Sequence, residues 1–318
     1  MASYHPGAVA TRVQIAAAPL SFRRKYFKCI GQSPPMNIVT GSASYLLGEK
    51  IAQLLNEKYI PPVIEKFPDG EIYVRIEGEI EKEVALIQTT YPNDKLIELF
   101  LLQDALREKG VERIITVVPY FGYSRQDKIF KEGEAISARA MAKHIELYSD
   151  IFIGIDLHAP SILNWFSIPT VHLHATEPIA RFLKERDVDV VISPDKGGVE
   201  RAKLVAEAMN AEFDYLEKVR LSGEEVVIKP KNLDVREKIV GIVDDIISTG
   251  GTIARAAEQL RRQGARKIYA VCTHGLFIGK AEENMKKVND FASTDTIESK
   301  YSKITVAEVI ARALQEYA

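Results

Sequence analysis

Cysteine is scarce. The 318 residues hold two, Cys29 and Cys272, and neither belongs to a CxxC or a Cys/His cluster. A disulfide framework and a thiolate metal site are therefore excluded, and a reducing compartment is implied. Long apolar runs are missing too: no segment reaches the ~18–20 residues that a membrane span needs. A broad basic field is also absent. The formal net charge is −2, from 42 Lys+Arg and 44 Asp+Glu. Residues 1–35 carry Arg12, Arg23, Arg24, Lys25 and Lys28 and no acid. Taking those five from 42 leaves 37 bases against 44 acids, or −7 over the remaining 283 residues. A mildly acidic body of that kind offers no field for a nucleic acid backbone.

The basic leader has a short apolar stretch at 13–18, and most of its charges follow that stretch, the reverse of a secretory signal. Three readings stay open: an organelle transit peptide, a disordered tail, or an upstream start codon. Ser33-Pro34-Pro35 followed by Met36-Asn37-Ile38-Val39 reads as the opening of the folded body, so residues 1–35 are set outside the fold. The body is expected to be cytoplasmic. An apolar fraction of 46% over this length suits about two domains of roughly 100–200 residues each.

From Met36 onward, short β-branched runs alternate with helical periodicity. Strands are expected at 38–40, 84–88, 113–119, 151–156, 188–193, 238–243 and 267–273. Helices are expected at 44–56, 95–109, 137–148, 176–185, 198–209, 251–263 and 280–288. Residues 63–67 and 72–76 flank Pro68-Asp69-Gly70-Glu71, which has hairpin turn chemistry. The alternation predicts an α/β fold with mainly parallel sheets flanked by helices. Ligands of such folds collect beyond the carboxyl ends of the strands, and four polar segments lie there.

Asp244-Asp245-Ile246-Ile247-Ser248-Thr249-Gly250-Gly251-Thr252 leads from an apolar strand into a helix. Its glycines allow close backbone approach, so amides and the hydroxyls of Ser248, Thr249 and Thr252 can converge on one anion. The two carboxylates would repel that anion and must address something neutral, such as vicinal sugar hydroxyls, or a metal. Phosphate on one side and diol on the other describes ribose 5-phosphate. Ser193-Pro194-Asp195-Lys196-Gly197-Gly198 repeats the design one strand earlier. Asp195 suits a hard cation, and Lys196 with the following amides suits di- or triphosphate oxygens.

Asp156-Leu157-His158 ends a further strand with an acid and a histidine. The segment 119–128 offers aromatics for stacking, then Arg125, Gln126 and Asp127, with Arg125 able to meet a phosphate. Lys218 and Arg220 stand at i and i+2 of an extended segment and point the same way. Each segment alone also suits an ordinary solvated loop.

In combination they resemble the ribose-phosphate diphosphokinases, also called phosphoribosyl pyrophosphate synthetases, in an archaeal-like form. Five ordered segments carry the likeness: Phe67-Pro68-Asp69-Gly70-Glu71, Arg125-Gln126-Asp127-Lys128, Asp156-Leu157-His158, Ser193 to Gly198, and Asp244 to Thr252. The resemblance implies two similar phosphoribosyltransferase-like domains, 36–178 plus 305–318 and 179–304, with the last helix returning to the first. It implies transfer of the diphosphoryl group of ATP to the anomeric hydroxyl of ribose 5-phosphate. Phe67, Asp69, Gly70, Glu71, Arg125, Gln126 and His158 would bind ATP, the hairpin residues reaching it from a neighbouring subunit. His158 and Asp195 would hold Mg²⁺. Lys218 and Arg220 would be catalytic. Arg220, Asp244, Asp245, Ser248, Thr249, Gly250, Gly251 and Thr252 would take ribose 5-phosphate.

A homo-oligomer, dimer or larger, follows from the shared adenine site. Neither a nucleic acid nor a membrane is expected as partner. Ser248 stands where many members carry an acid, and Pro160-Ser161-Ile162-Leu163 lacks the polar residues of ADP-inhibited relatives. The first removes one possible metal or hydroxyl contact, and the second implies weak or absent allosteric control by ADP and phosphate. Two rivals remain: a phosphoribosyltransferase that shares only the Asp244–Thr252 loop, and a non-catalytic regulatory subunit.

Overall fold

A computed structural model describes residues 35–220, 226–230 and 233–317, and the basic leader lies outside them. The first half runs β1 (Met36–Thr40), α1 (Tyr45–Leu55), β2 (Tyr59–Ile60), β3 (Val63–Lys66), β4 (Ile72–Arg75) and β5 (Glu83–Ile87). It continues with α2 (Asn93–Glu108), β6 (Arg113–Val118), α3 (Ser137–Ile145), β7 (Ile151–Ile155) and β8 (Thr170–Leu173). The second half runs α4 (Thr176–Lys184), β9 (Val190–Ser193), α5 (Val199–Met209), β10 (Glu212–Arg220), β11 (Val226–Pro230) and β12 (Ile239–Ile247). Then come α6 (Gly251–Arg262), β13 (Lys267–Gly275), α7 (Ala281–Met285), β14 (Asp290–Thr294), β15 (Ser302–Ile304) and α8 (Ala307–Tyr317).

Every residue of β1, β5 and β7 is buried, the pattern of strands covered on both faces. They form one six-stranded sheet in the order β2-β1-β5-β6-β7-β8, with every pairing parallel. The second sheet runs β11-β10-β9-β12-β13-β14-β15, and only β11 is antiparallel to its neighbour. Without that edge strand the two orders match position by position: β9, β10 and β12 correspond to β1, β2 and β5. The two halves are thus one design used twice, as the fold expectation had it.

The main core joins them. Side chains from β1, α1, β6 and β7 pack in one cluster with α4, α5, β12 and α8, including Ile38, Ile51, Ile153, Ile179, Val205, Val243 and Ile310. α8 lies against α1 of the first half. Separate clusters fill the outer layer of each half, one around Leu99 and Phe152 and one around Ile242 and Leu260. Antiparallel β3 and β4 pair Val63 with Arg75 and form the expected hairpin apart from both sheets.

Several elements depart from the sequence expectation. β2, β8, β14 and β15 are short and carry little period of their own, so only pairing with a neighbour reveals them. The helix expected at 280–288 shrinks to Ala281–Met285, and that at 137–148 ends in a 3-10 turn over Glu146–Tyr148. The strand expected at 238–243 continues to Ile247, because β13 reaches Gly275 and pairs it with Ile247. Asp244 and Asp245 therefore lie inside a strand end, with side chains on opposite faces. Among the described residues no helix is long and apolar enough to cross a membrane. Cys272 is buried in β13, where burial pushes its thiol well up and leaves it unreactive.

Candidate active site

The loop from β12 to α6 is shaped by backbone chemistry. Gly250 has φ +73, a left-handed conformation that glycine adopts without strain, and a Cβ there would also press on the end of the Met285 side chain at 2.7 Å. Asn284 of α7 donates its side-chain amide to the Thr249 carbonyl at 2.7 Å, and the Ile278 amide donates to the Ser248 carbonyl at 3.0 Å. α6 begins at Gly251, so its free amides face the loop.

This loop is one wall of a pocket of about 220 Å³. Ser248, Thr249, Gly250, Gly251 and Thr252 line it together with Asp244, Asp245, Asp195, His158 and Arg125. Ten of the expected site residues thus converge, and they come from both halves of the chain. Among the described side chains, those of Phe67, Asp69, Glu71 and Gln126 do not line it. Phe67, Asp69, Gly70 and Glu71 sit at the β3–β4 turn, where Glu71 donates its amide to the Asp69 carboxylate at 3.0 Å and Phe67 is 51% exposed. Gln126 spends its side-chain amide on the Lys128 carbonyl and the Glu134 carboxylate, which shapes its own loop. The backbones of Lys218 and Arg220 lie in β10, paired with Ile228 and Val226 of β11. Their side chains, like residues 221–225, lie outside what the structure describes.

Asp195 accepts hydrogen bonds from the Gly197 and Gly198 amides at 2.8 and 3.3 Å. Those amides were expected to meet phosphate oxygens; here the carboxylate holds them and fixes the turn. Gly198 is needed as such, since a Cβ would meet the Ser193 hydroxyl at 2.6 Å.

The acid pair is split in function. Asp245 accepts from His158 Nδ1 at 2.7 Å, a bond that crosses from one half of the chain to the other. Burial pushes the Asp245 carboxyl up, but the His158 bond and the Arg201 charge outweigh it and hold it well below the usual range. Burial and the adjacent Asp245 charge push Asp244 the opposite way, well above the usual range. The two carboxyls thus do not share a site as equal anions. His158 is itself raised, chiefly by the Asp245 bond.

A histidine raised above its unfolded value stabilises the fold fully below that value, near pH 6.5, and loses this as pH rises through its folded value. In the ligand-free protein, the melting-temperature advantage of wild type over His158→Gln is therefore expected to be largest below about pH 6.5 and to decline as pH rises above it. Thermal melts of both proteins across that range check it, and a constant difference would remove the ion-pair account.

Behind the pocket lies Asp156, almost fully buried at the end of β7. It accepts from His174 Nδ1 at 2.8 Å, the Ala175 amide at 3.1 Å and, across the halves, Thr273 Oγ1 at 2.6 Å. Sequence reasoning singled out Asp156 but not His174, Thr273, Asn284 or Arg201. Arg201 alone left a local signal: it is a cation in the first turn of α5, the end of a helix that disfavours positive charge.

Comparison with known proteins follows the same division. Residues 36–148 match the N-terminal domain of ribose phosphate pyrophosphokinase, and residues 169–310 match the phosphoribosyl transferase domain. The ribose-phosphate pyrophosphokinase of Pyrococcus abyssi is 45% identical over 278 residues, covering 86% of this chain and 96% of its own. The chain belongs to the ribose-phosphate pyrophosphokinase family. The family's enzyme from Methanopyrus kandleri is 39% identical over 287 residues, covering 88% of this chain and 99% of its own. In three dimensions the chain resembles the phosphoribosylpyrophosphate synthetase of Mycobacterium smegmatis with a TM-score of 0.78 and 27% identity, over 89% of this chain and 100% of that one. Likeness to this pyrophosphokinase family therefore spans both halves, which a phosphoribosyltransferase alone would not match.

Proposed function

We infer that the pocket between the halves is where this ribose-phosphate pyrophosphokinase makes 5-phospho-ribose 1-diphosphate and AMP from ribose 5-phosphate and ATP, for nucleotide biosynthesis. The observation that carries the assignment is the convergence of an anion-binding helix start, an acid pair and the His158–Asp245 bridge in one pocket. Ser248, Thr249, Gly250, Gly251 and Thr252 hold the 5-phosphate. Asp244 and Asp245 take the ribose hydroxyls. Arg125 and His158 face ATP, with Gln126 shaping the same loop. Phe67, Asp69, Gly70 and Glu71 meet the adenine of a neighbouring copy's ATP, which makes the enzyme a homo-oligomer, dimer or larger.

Mg²⁺ fits the residues present. His158 donates through Nδ1 to Asp245, which orients its Nε2 as carboxylate–histidine pairs do at metal sites. Asp195 lines the same pocket. Among the described residues no cluster of three or more His, Cys, Asp or Glu could cage an ion, as befits a Mg²⁺ held mainly by phosphates and water. Such an ion would neutralise charge on the transferred phosphates.

The anomeric oxygen attacks the β-phosphorus, the bond from that phosphorus to the α–β bridging oxygen breaks, and AMP departs with the electron pair. The protein's part is positioning and charge: the loop anchors the sugar, and Lys218 and Arg220 supply positive charge for the transferring group. The domain division proposed is 36–178 plus 305–318 and 179–304, and a cytoplasmic location belongs to the same proposal. The test is direct: protein, Mg²⁺ and ATP should release AMP only when ribose 5-phosphate is added. ADP as the product, or no reaction, would overturn the reading.

A further inference from the structure

Arg201 is a charged group that the proposed reaction leaves without a role. Its side chain is only 16% exposed, and its buried Nε has no hydrogen-bond partner. Nε lies 3.9 Å from Asp156 Oδ1, and a terminal nitrogen lies 3.9 Å from Asp245 Oδ1. Both separations exceed hydrogen-bond reach. The guanidinium therefore stands between two carboxylates, one from each half, and is bonded to neither. Leaving a buried donor unsatisfied is costly, and such a group in a native fold calls for a reason.

The duplicated fold supplies a comparison. By the matched strand order, Asp295 follows β14 as Asp156 follows β7, and α1 corresponds to α5. At that second position Lys50 of α1 closes directly on Asp295 at 3.0 Å. There one cation serves one acid. At the pocket one cation serves two, and a planar five-donor fork is the side chain that can bond both at once. Asp156 is the fixed member of the pair, since three donors already hold it. Asp245 is the member that lines the pocket.

We propose that Arg201 is a positioning residue: anchored by Asp156, it sets the Asp245 carboxylate for the ribose hydroxyls when the two halves close on ribose 5-phosphate. The proposal rests on the reading of the pocket given above. Its unmet hydrogen bonds in the ligand-free protein are those that closure completes. Lysine would keep the charge but not the fork.

The experiment compares wild type with Arg201→Met, Arg201→Lys, Asp156→Asn and the double variant Arg201→Met/Asp156→Asn, by steady-state AMP formation and by thermal melts. Arg201→Met is expected to raise the KM for ribose 5-phosphate by roughly ten-fold or more and to leave the KM for ATP nearly unchanged. Arg201→Lys should retain most of that defect. Arg201→Met should also lower the melting temperature, because it removes the guanidinium charge that stands between Asp156 and Asp245. The double variant should melt close to Asp156→Asn alone, so that the stability loss from Arg201→Met shrinks once Asp156 is uncharged, while the KM for ribose 5-phosphate stays high. Should Arg201→Met fail to fold, the double variant is compared with Asp156→Asn instead. Recovery of stability and KM together would make Arg201 a purely structural residue and overturn the proposal. So would an unchanged KM for ribose 5-phosphate in the variants while wild type forms AMP. A wild type that forms no AMP would instead overturn the proposed function.

Discussion

Lys218→Ala is expected to lower kcat on the order of 10²–10³-fold and to leave ATP affinity nearly intact. Two phosphorylated anions meet in this reaction, on a body whose acids outnumber its bases. Charge on the transferring diphosphoryl group is shared between attacking and leaving oxygens only in the transition state, so a cation placed there acts on kcat rather than on ground-state binding. Lys218 and Arg220 lie on β10, whose parallel pairing with β9 brings the strand beside the Asp195 turn. Single-turnover AMP formation measures the chemical step, and equilibrium binding of ATP measures the ground state. A near-normal single-turnover rate would sink the catalytic assignment, and a matching loss of ATP affinity would make Lys218 a binding residue instead.

The second large effect is expected at Asp245. An asparagine keeps its shape and loses its charge. Charge-assisted hydrogen bonds to ribose hydroxyls contribute about 1.5–3 kcal/mol each, so losing two of them lowers kcat/KM for ribose 5-phosphate on the order of 10²-fold or more. The same change weakens the 2.7 Å bond from His158. Asp244→Asn is expected to cost less, because burial and the neighbouring charge already disfavour its ionised form. Steady-state kinetics of the two variants, with melts to confirm folding, rank them. A larger loss in Asp244→Asn than in Asp245→Asn would reverse the assignment.

Much of this site was legible because its chemistry is local. The β12–α6 loop needs two glycines, hydroxyls and a helix start in consecutive positions, and such a run stands out from ordinary strand and helix sequence. The β3–β4 hairpin was equally plain, since Pro68-Asp69-Gly70 permits little else between two β-branched runs. His174, Thr273 and Asn284 were not legible, and Arg201 showed only as a cation at a helix start, with no sign of its partners. Each acts on a group 18 to 117 residues away in sequence, and no periodicity records a partner at that range. The length of β12 was missed for a related reason, because β13 extends it and the chain itself does not.

By itself the sequence determined the family of folds, the strand-end loops and the chemistry each loop can offer. Periodicity and turn preference are short-range properties, and a single chain displays them without folding. Tertiary structure decided what those loops do together. It put His158 of one half on Asp245 of the other, tied Asp156 to Thr273, and set one guanidinium between two acids. It also resolved the acid pair, equal on paper, into one carboxyl held ionised and one pushed toward its neutral form. Burial and partner charges set that difference, and both exist only once the two sheets have packed.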